Sequence, residues 1–314
     1  MHTLEIVHHT RYEYSAPVTL GEHRLMFRPR DSHDLHLLHT GLAIEPAAAV
    51  RWIHDPFGNS IAIASFEGTT VLLELTSTIR LEHFVLPLEL PPIEAYARTL
   101  PFSYLAEEAP DLTRYVERHY PDPNAIVSNW TKQFLEGEGG AETFATLTRM
   151  CKGIQESLKY AMRFEVGTQP PAVTLETGGG TCRDYALLMM EGARALGLAA
   201  RFVTGYLYDP ALDDASGGPA IPAHPHAWME VYLPGAGWVE FDPTNGIIGT
   251  ERLIRVAVGR DPEQAMPIKG TFTGAADVKV TAMVDVHVRA VEASPPGAPP
   301  AAEPGAAPVA SSAA

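Results

Sequence analysis

The sequence predicts an α+β protein: an N-terminal antiparallel, β-sandwich-like domain, then a core in which a cysteine-bearing helix packs on an antiparallel sheet. Three observations predict it. Residues 1–88 read as short alternating strands separated by Pro, Gly and Asp turns. From about residue 94 to 165 the apolar spacing becomes helical. An apolar helix then starts at Cys182, and two alternating runs joined by a glycine-rich turn lie beyond it.

In chain order, the first strands are expected at Thr3 to Val7, Val50 to His54, Ser60 to Phe66 and Thr70 to Ile79. A connector from Leu86 to Ile93 carries Pro87, Pro91 and Pro92 and separates this region from the helical segment. Helices are expected over Asp111 to His119, Ala125 to Glu136 and Ala141 to Tyr160. Core strands are expected near 200–208, 226–233, 238–242 and 278–290. The Pro/Ala-rich residues after Glu292 have too little apolar surface to order themselves. The expected organisation is therefore a β-rich domain at 1–88, a catalytic core with a helical lead-in at 94–290, and a disordered tail at 292–314.

Cys182 is the first candidate for chemistry. Gly178, Gly179 and Gly180 precede it and permit a tight backbone approach, while the helix-forming run after it stops near Gly197. That places Cys182 at the N-cap or first turn of a buried helix. The positive end of the helix dipole there favours thiolate over thiol, and the free N–H groups suit an oxyanion. Asp184 reads as a helix-start residue.

The base and its orienting group are read from strand geometry. From His226 to Leu233 the chain alternates, with His226, Trp228, Glu230 and Tyr232 on one face. Trp238, Glu240 and Asp242 share a face of the next run, and Pro234-Gly235-Ala236-Gly237 between them reads as a hairpin turn. A hairpin centred on Pro234 sets His226 opposite Asp242, Trp228 opposite Glu240, and Glu230 opposite Trp238. Cys182, His226 and Asp242 then supply a nucleophile, a base and an orienting carboxylate. Trp228 and Trp238 are candidate walls of a substrate cleft, or else aromatic residues of the core.

These segments resemble the bacterial transglutaminase-like family of the papain-like cysteine-protease superfamily. The resemblance rests on GGGTCRDYALLMMEGARALG around Cys182, HAW at His226, and GWVEFDPTN around Asp242. It extends to EIVHHTRYEYSAPVTLGEHRLMFRPR and HDPFGN, which look like the β-rich N-terminal domain that accompanies this core in bacteria, and to VAVGRDPEQAMPIKGTFTG after the core. It implies a papain-like, transglutaminase-like core with Cys182, His226 and Asp242 as the catalytic trio.

Composition narrows the setting. The chain has 314 residues, 46% of them hydrophobic, and 23 Lys and Arg against 38 Asp and Glu give a net charge of -15. That charge argues against nucleic acid and anionic membrane as partners. The N-terminal residues lack a basic and apolar leader pattern, and no apolar run reaches the length of a membrane span, so a cytoplasmic location is expected. Cys151 reads as a packing residue of a helix. His33, His36 and His39, and the pair His224 and His226, lack companion ligands at metal spacing, and Asp213 and Asp214 read as solvated loop acids, so neither metal nor cofactor is expected.

The chemistry expected from these parts is attack of Cys182 on a protein or peptide amide to give a thioester. An amine acceptor makes the protein an acyl transferase, and water makes it a peptidase or amidase. A third reading keeps the fold as a non-catalytic scaffold for binding proteins.

Overall fold

The computed structural model describes residues 2–84, 92–122, 124–135, 141–163, 165–210 and 225–292. Pro87, Pro91, Glu136, Asp213, Asp214, His224 and the expected disordered tail from residue 293 onward lie outside the described residues.

Alternation in the N-terminal sequence becomes six strands: β1 (His2–Leu20), β2 (His23–Arg28), β3 (Leu35–Glu45), β4 (Ala48–His54), β5 (Ser60–Phe66) and β6 (Thr70–His83). The period of two is plain in β6, where Leu73, Leu75, Ser77, Ile79, Leu81 and His83 are buried while their neighbours are not. Then come β7 (Thr99–Leu100), α1 (Ala109–Val116), α2 (Ile126–Lys132), β8 (Ala141–Glu142) and α3 (Thr143–Ser157). β9 (Lys159–Tyr160), α4 (Pro171–Thr177), β10 (Gly179–Gly180) and α5 (Cys182–Ala195) lead into the core sheet. Its strands are β11 (Ala200–Leu207), β12 (His226–Leu233), β13 (Gly237–Asp242), β14 (Ile247–Ile248) and β15 (Leu253–Gly259), in the antiparallel order β14-β13-β12-β11-β15.

Helix α5 is buried on nearly every side and packs across β12 and β11. Leu187, Leu188 and Met190 share one apolar cluster with Ala227, Met229, Val231 and Leu233 of β12. The N-terminal strands pack against the same sheet: Tyr206, Tyr208, Ile254 and Val256 cluster with Leu4, Ile6, Ile79 and Leu81. Polar contacts fix this second interface. The Asn59 side chain donates to Val258 O at 2.6 Å and accepts from Val258 N–H at 2.9 Å, so it acts as a strand partner at the edge of β15. Asp55 holds that turn by accepting from the N–H groups of Phe57 and Asn59. His8 Nδ1 lies 2.9 Å from the Tyr206 hydroxyl, and burial lowers its pKa to about 4.

The end of the chain departs from the expected domain boundary. β16 (Ile268–Lys269) pairs with β2, while β17 (Phe272–Thr273) and β18 (Val280–Ala290) both pair with β1. The N-terminal region is thus two antiparallel sheets, β4-β5-β2-β16 and one with β1 between β6 and β18, closed over Leu25, Phe27, Ala62, Leu73 and Leu75. The expected core of 94–290 must be corrected, because its last strands complete the first domain. A long strand needs an edge to pair with, and β1 supplies one.

The β12–β13 register also corrects the expectation. Met229 faces Phe241, Glu230 faces Glu240, and Tyr232 faces Trp238, so His226 and Asp242 are not directly opposed, and neither are Trp228 and Glu240 or Glu230 and Trp238. The turn is centred on Gly235 rather than Pro234. Ala236 N–H donates to Leu233 O at 2.9 Å, with Pro234 second and Gly235 third at φ +89°, the arrangement of a type II turn. Gly237 comes next at φ +76° and restarts the ladder opposite Leu233. Moving the turn centre by one residue moves the pairing by two, which keeps every side chain on its predicted face.

This register sets two buried glutamates side by side. Arg255 Nη1 donates to Glu230 at 3.0 Å and to Glu240 at 2.8 Å, and Arg201 also donates to Glu230. Burial pushes the Glu240 carboxyl up, against the opposing pull of Arg255. Arg255 also reaches Asp34 of the N-terminal region at 3.7 Å, so the charge layer crosses between domains. We expect Arg255→Ala to lower stability by about 3–5 kcal/mol at pH 7, read from urea unfolding, because it strands buried acids. Adding Glu230→Gln and Glu240→Gln should recover much of the loss. An unchanged midpoint in Arg255→Ala would contradict this account.

Candidate active site

The nucleophile loop is built on glycines and one aspartate. Gly178 ends α4 at φ +69°, and a Cβ on Gly179 or Gly180 would lie 2.4 Å from Lys159 O or 2.8 Å from the Asp184 side chain. Gly179 and Gly180 can therefore pair in parallel with Lys159 and Tyr160, bringing β9 beside the start of α5. Thr181 is the N-cap and Cys182 the first helical residue, 8% exposed. Asp184 does more than start the helix. It accepts from Thr181 N–H and hydroxyl, both at 2.9 Å, from Gln169 N–H at 2.8 Å and from Arg163 at 3.2 Å. Burial opposes its charge, but these donors hold it below the ordinary carboxylate range. Asp184 thereby ties residues 163–169 to the nucleophile loop.

At the first residue of β12, His226 meets both candidate partners. Its Nε2 lies 2.8 Å from Asp242 Oδ2, a diagonal contact across the hairpin. Cys182 acts on the same imidazole as a neighbouring acid that favours its protonated form. Burial works to lower the His226 pKa, but the Asp242 charge and hydrogen bond, with Cys182 behind them, raise it to about 10. Asp242 is fully buried and accepts from Asn245 Nδ2 at 2.7 Å and Thr244 N–H at 2.9 Å. Burial resists its ionisation, but His226 and these donors hold its pKa down. The geometry suits a thiolate–imidazolium pair oriented by a carboxylate.

Two contributing residues were missed from sequence. Asn245 fills the turn after Asp242; its signal was the DPTN motif, where only the acid was read. Tyr160, 49% exposed, interacts with both the backbone and the thiol of Cys182. Burial, reinforced by Cys182, raises its phenol to about 12. No local pattern announced Tyr160, because the β9–β10 pairing that delivers it is two residues long.

The two tryptophans fall elsewhere than in an open cleft. Trp228 is 0% exposed and stacks on His226 with ring centroids 6.0 Å apart, so it backs the imidazole from within the core. Trp238 lies near the turn end of the hairpin, under the Arg201 guanidinium at 4.2 Å and against Tyr115 and Tyr232. His36 contacts Asp31, His33 is exposed, and His39 lies on β3. Among the described residues, no group of three or more His, Cys, Asp or Glu side chains has the geometry to hold a metal. Among them also, no helix is long and apolar enough to cross a membrane.

The chain is similar to several known proteins. Residues 4–82 match the bacterial transglutaminase-like N-terminal region, and residues 128–243 match the transglutaminase-like superfamily. An uncharacterized protein of Mycobacterium leprae is 24% identical over 295 residues, covering 91% of this chain and 99% of that protein. A protein-glutamine gamma-glutamyltransferase of Pseudomonas aeruginosa is 28% identical over 134 residues, covering 35% of this chain and 19% of that protein. A solved structure from Cytophaga hutchinsonii, provisionally described as a cysteine protease, has a TM-score of 0.70 at 17% identity. It covers 93% of this chain and 92% of its own, which shows a shared fold.

Iodoacetamide at neutral pH should label Cys182 and leave Cys151 unmodified, since Cys151 is fully buried and burial pushes its thiol pKa up. Equal labelling of the two would sink the activated-nucleophile reading. The raised His226 pKa also gives a stability signature. Its contribution is present below about pH 6.5, the ordinary histidine value, and is lost as pH rises towards about 10. The urea-midpoint gap between wild type and His226→Gln should therefore shrink from pH 6 to pH 10, and a gap that widens over that range would show the wrong sign.

Proposed function

We propose that this chain, which belongs to the transglutaminase-like superfamily and carries its bacterial N-terminal region, is a thiol acyl transferase acting on protein or peptide amides. Membership makes it a papain-like cysteine enzyme. The observation that supports the finer reading is the 2.8 Å contact of His226 with the buried Asp242, together with Cys182 as the first residue of α5.

In this mechanism the Cys182 thiolate adds to the carboxamide carbon, and the oxyanion forms beside the N-terminus of α5. His226 gives its proton to the departing nitrogen as the C–N bond breaks, leaving a thioester and free ammonia or amine. His226 then takes a proton from the incoming primary amine, whose attack forms the new amide and returns the sulfur. Asp242 keeps the ring oriented and its charge matched throughout. Water in place of the amine would give hydrolysis through the same groups. The proposed setting is the cytoplasm, where thiols are kept reduced.

A glutamine-containing peptide incubated with and without a labelled primary amine tests the reading. Amine incorporation with ammonia release is expected, and Cys182→Ala should abolish it. Asp242→Asn should lower it by about 10²–10⁴-fold through the misoriented base. Ammonia release without incorporation would replace transfer by amidase activity, a cleaved backbone would replace it by peptidase activity, and unchanged turnover in Cys182→Ala would remove this site from the chemistry.

A further inference from the structure

We propose that the groove between the β2–β16 pair and α1 binds a small organic anion, its phosphate or carboxylate held by Arg24 and Lys269 and its apolar body lying along Met26, Phe57, Tyr115 and Met266. The groove has a volume of about 720 Å³, within the range of small-molecule sites. The register of β16 on β2 sets Lys269 directly opposite Arg24. Opposed Cβ atoms are about 4.5–5.5 Å apart, so two cations there repel each other unless an anion lies between them. Among the described residues, neither makes an ion pair or a side-chain hydrogen bond, although the chain has 38 acids to 23 Lys and Arg.

Two further guanidiniums line the groove with donors to spare. Arg114 of α1 gives only Nη1 to Glu117, at 2.9 and 2.8 Å, and Arg260 gives Nε to Asp261 at 3.4 Å. The acids of the lining do not cancel these charges. Asp55 accepts from the N–H groups of Phe57 and Asn59 within its own turn, and Asp111 and Glu263 are exposed and pair with none of the four cations. A guanidinium fork beside an ammonium suits the oxygens of a phosphate or carboxylate. Met26 is buried, and Phe57, Tyr115 and Met266 are half-buried along the same groove, so a bare inorganic ion would leave apolar wall uncovered.

The walls are held by the fold itself. Met26 N–H donates to Pro267 O at 2.8 Å, which joins β2 to the segment after β15. Arg194, buried in the last turn of α5, donates Nε to Tyr115 O at 3.0 Å and also donates to Arg260 O. Arg194 and Cys182 lie at opposite ends of the 14-residue α5, about 18 Å apart at the α-helical rise, so the groove is separate from the thiol site.

Isothermal titration calorimetry of the full chain with 1-naphthyl phosphate, 1-naphthoate and inorganic phosphate tests the proposal. At least one naphthyl probe is expected to bind at a single site with a Kd below about 1 mM, at least about tenfold tighter than inorganic phosphate, and the tighter of the two names the head group. Lys269→Glu should weaken that binding at least about tenfold, and Lys269→Gln, which removes the charge alone, should weaken it less. Because Lys269→Glu sets a carboxylate opposite Arg24, its urea midpoint should hold or rise, which separates a loss of binding from a loss of folding. Cys182→Ala should bind the probe as wild type does. No saturable binding of either naphthyl probe, equal binding of inorganic phosphate, unchanged binding in Lys269→Glu, or lost binding in Cys182→Ala would each overturn the proposal.

Discussion

The structure is organised around one buried hydrogen bond, from His226 to Asp242 at 2.8 Å. A fully desolvated carboxylate is tolerable only if every lone pair finds a donor, and Asp242 finds them in the imidazole, in Asn245 and in its own turn. The hairpin supplies these partners together. Its Gly235 and Gly237 set the register, the strand period sets the face, and Asp242-Pro243-Thr244-Asn245 bends donors back onto the acid. Cys182 is then presented at the first turn of a helix whose start is pinned by Asp184, where it favours the protonated form of His226.

A site of this kind needs rigid backing on both faces of its sheet. Helix α5 backs one face with apolar packing, Val203, Trp228, Leu253 and Val258 fill the other, and the N-terminal strands add apolar contacts at Tyr206 and Ile254, the Asn59 clamp and the Asp34–Arg255 contact. A tight turn-sized space lined by His8, Met26, Gly205 and Pro225 lies at the N-terminal interface, next in sequence to His226.

Sequence periodicity reached the faces of the strands and the ends of α5, because alternation and helix-stop signals are local. It also brought His226 and Asp242 to one face. The pairing offset was not legible, since Pro234 and Gly235 both serve a turn and only the αL geometry of the glycines selects between them. Three-dimensional partnership was equally hidden. Trp228 and Trp238 occupy equivalent strand positions, yet one is sealed beneath the imidazole and the other lies under Arg201. The return of β18 to β1 joins residues from opposite ends of the chain, which no local pattern encodes.

The central claim is that His226 carries a proton on each ring nitrogen at mildly alkaline pH because Asp242, reinforced by Cys182, favours the charged ring against burial. The most direct measurement is the pair of ring ¹⁵N resonances of His226 in the folded wild-type protein at pH 8. The account predicts the imidazolium signature, both nitrogens protonated, persisting until pH approaches about 10. A neutral imidazole at pH 8, with one nitrogen bare, would contradict it.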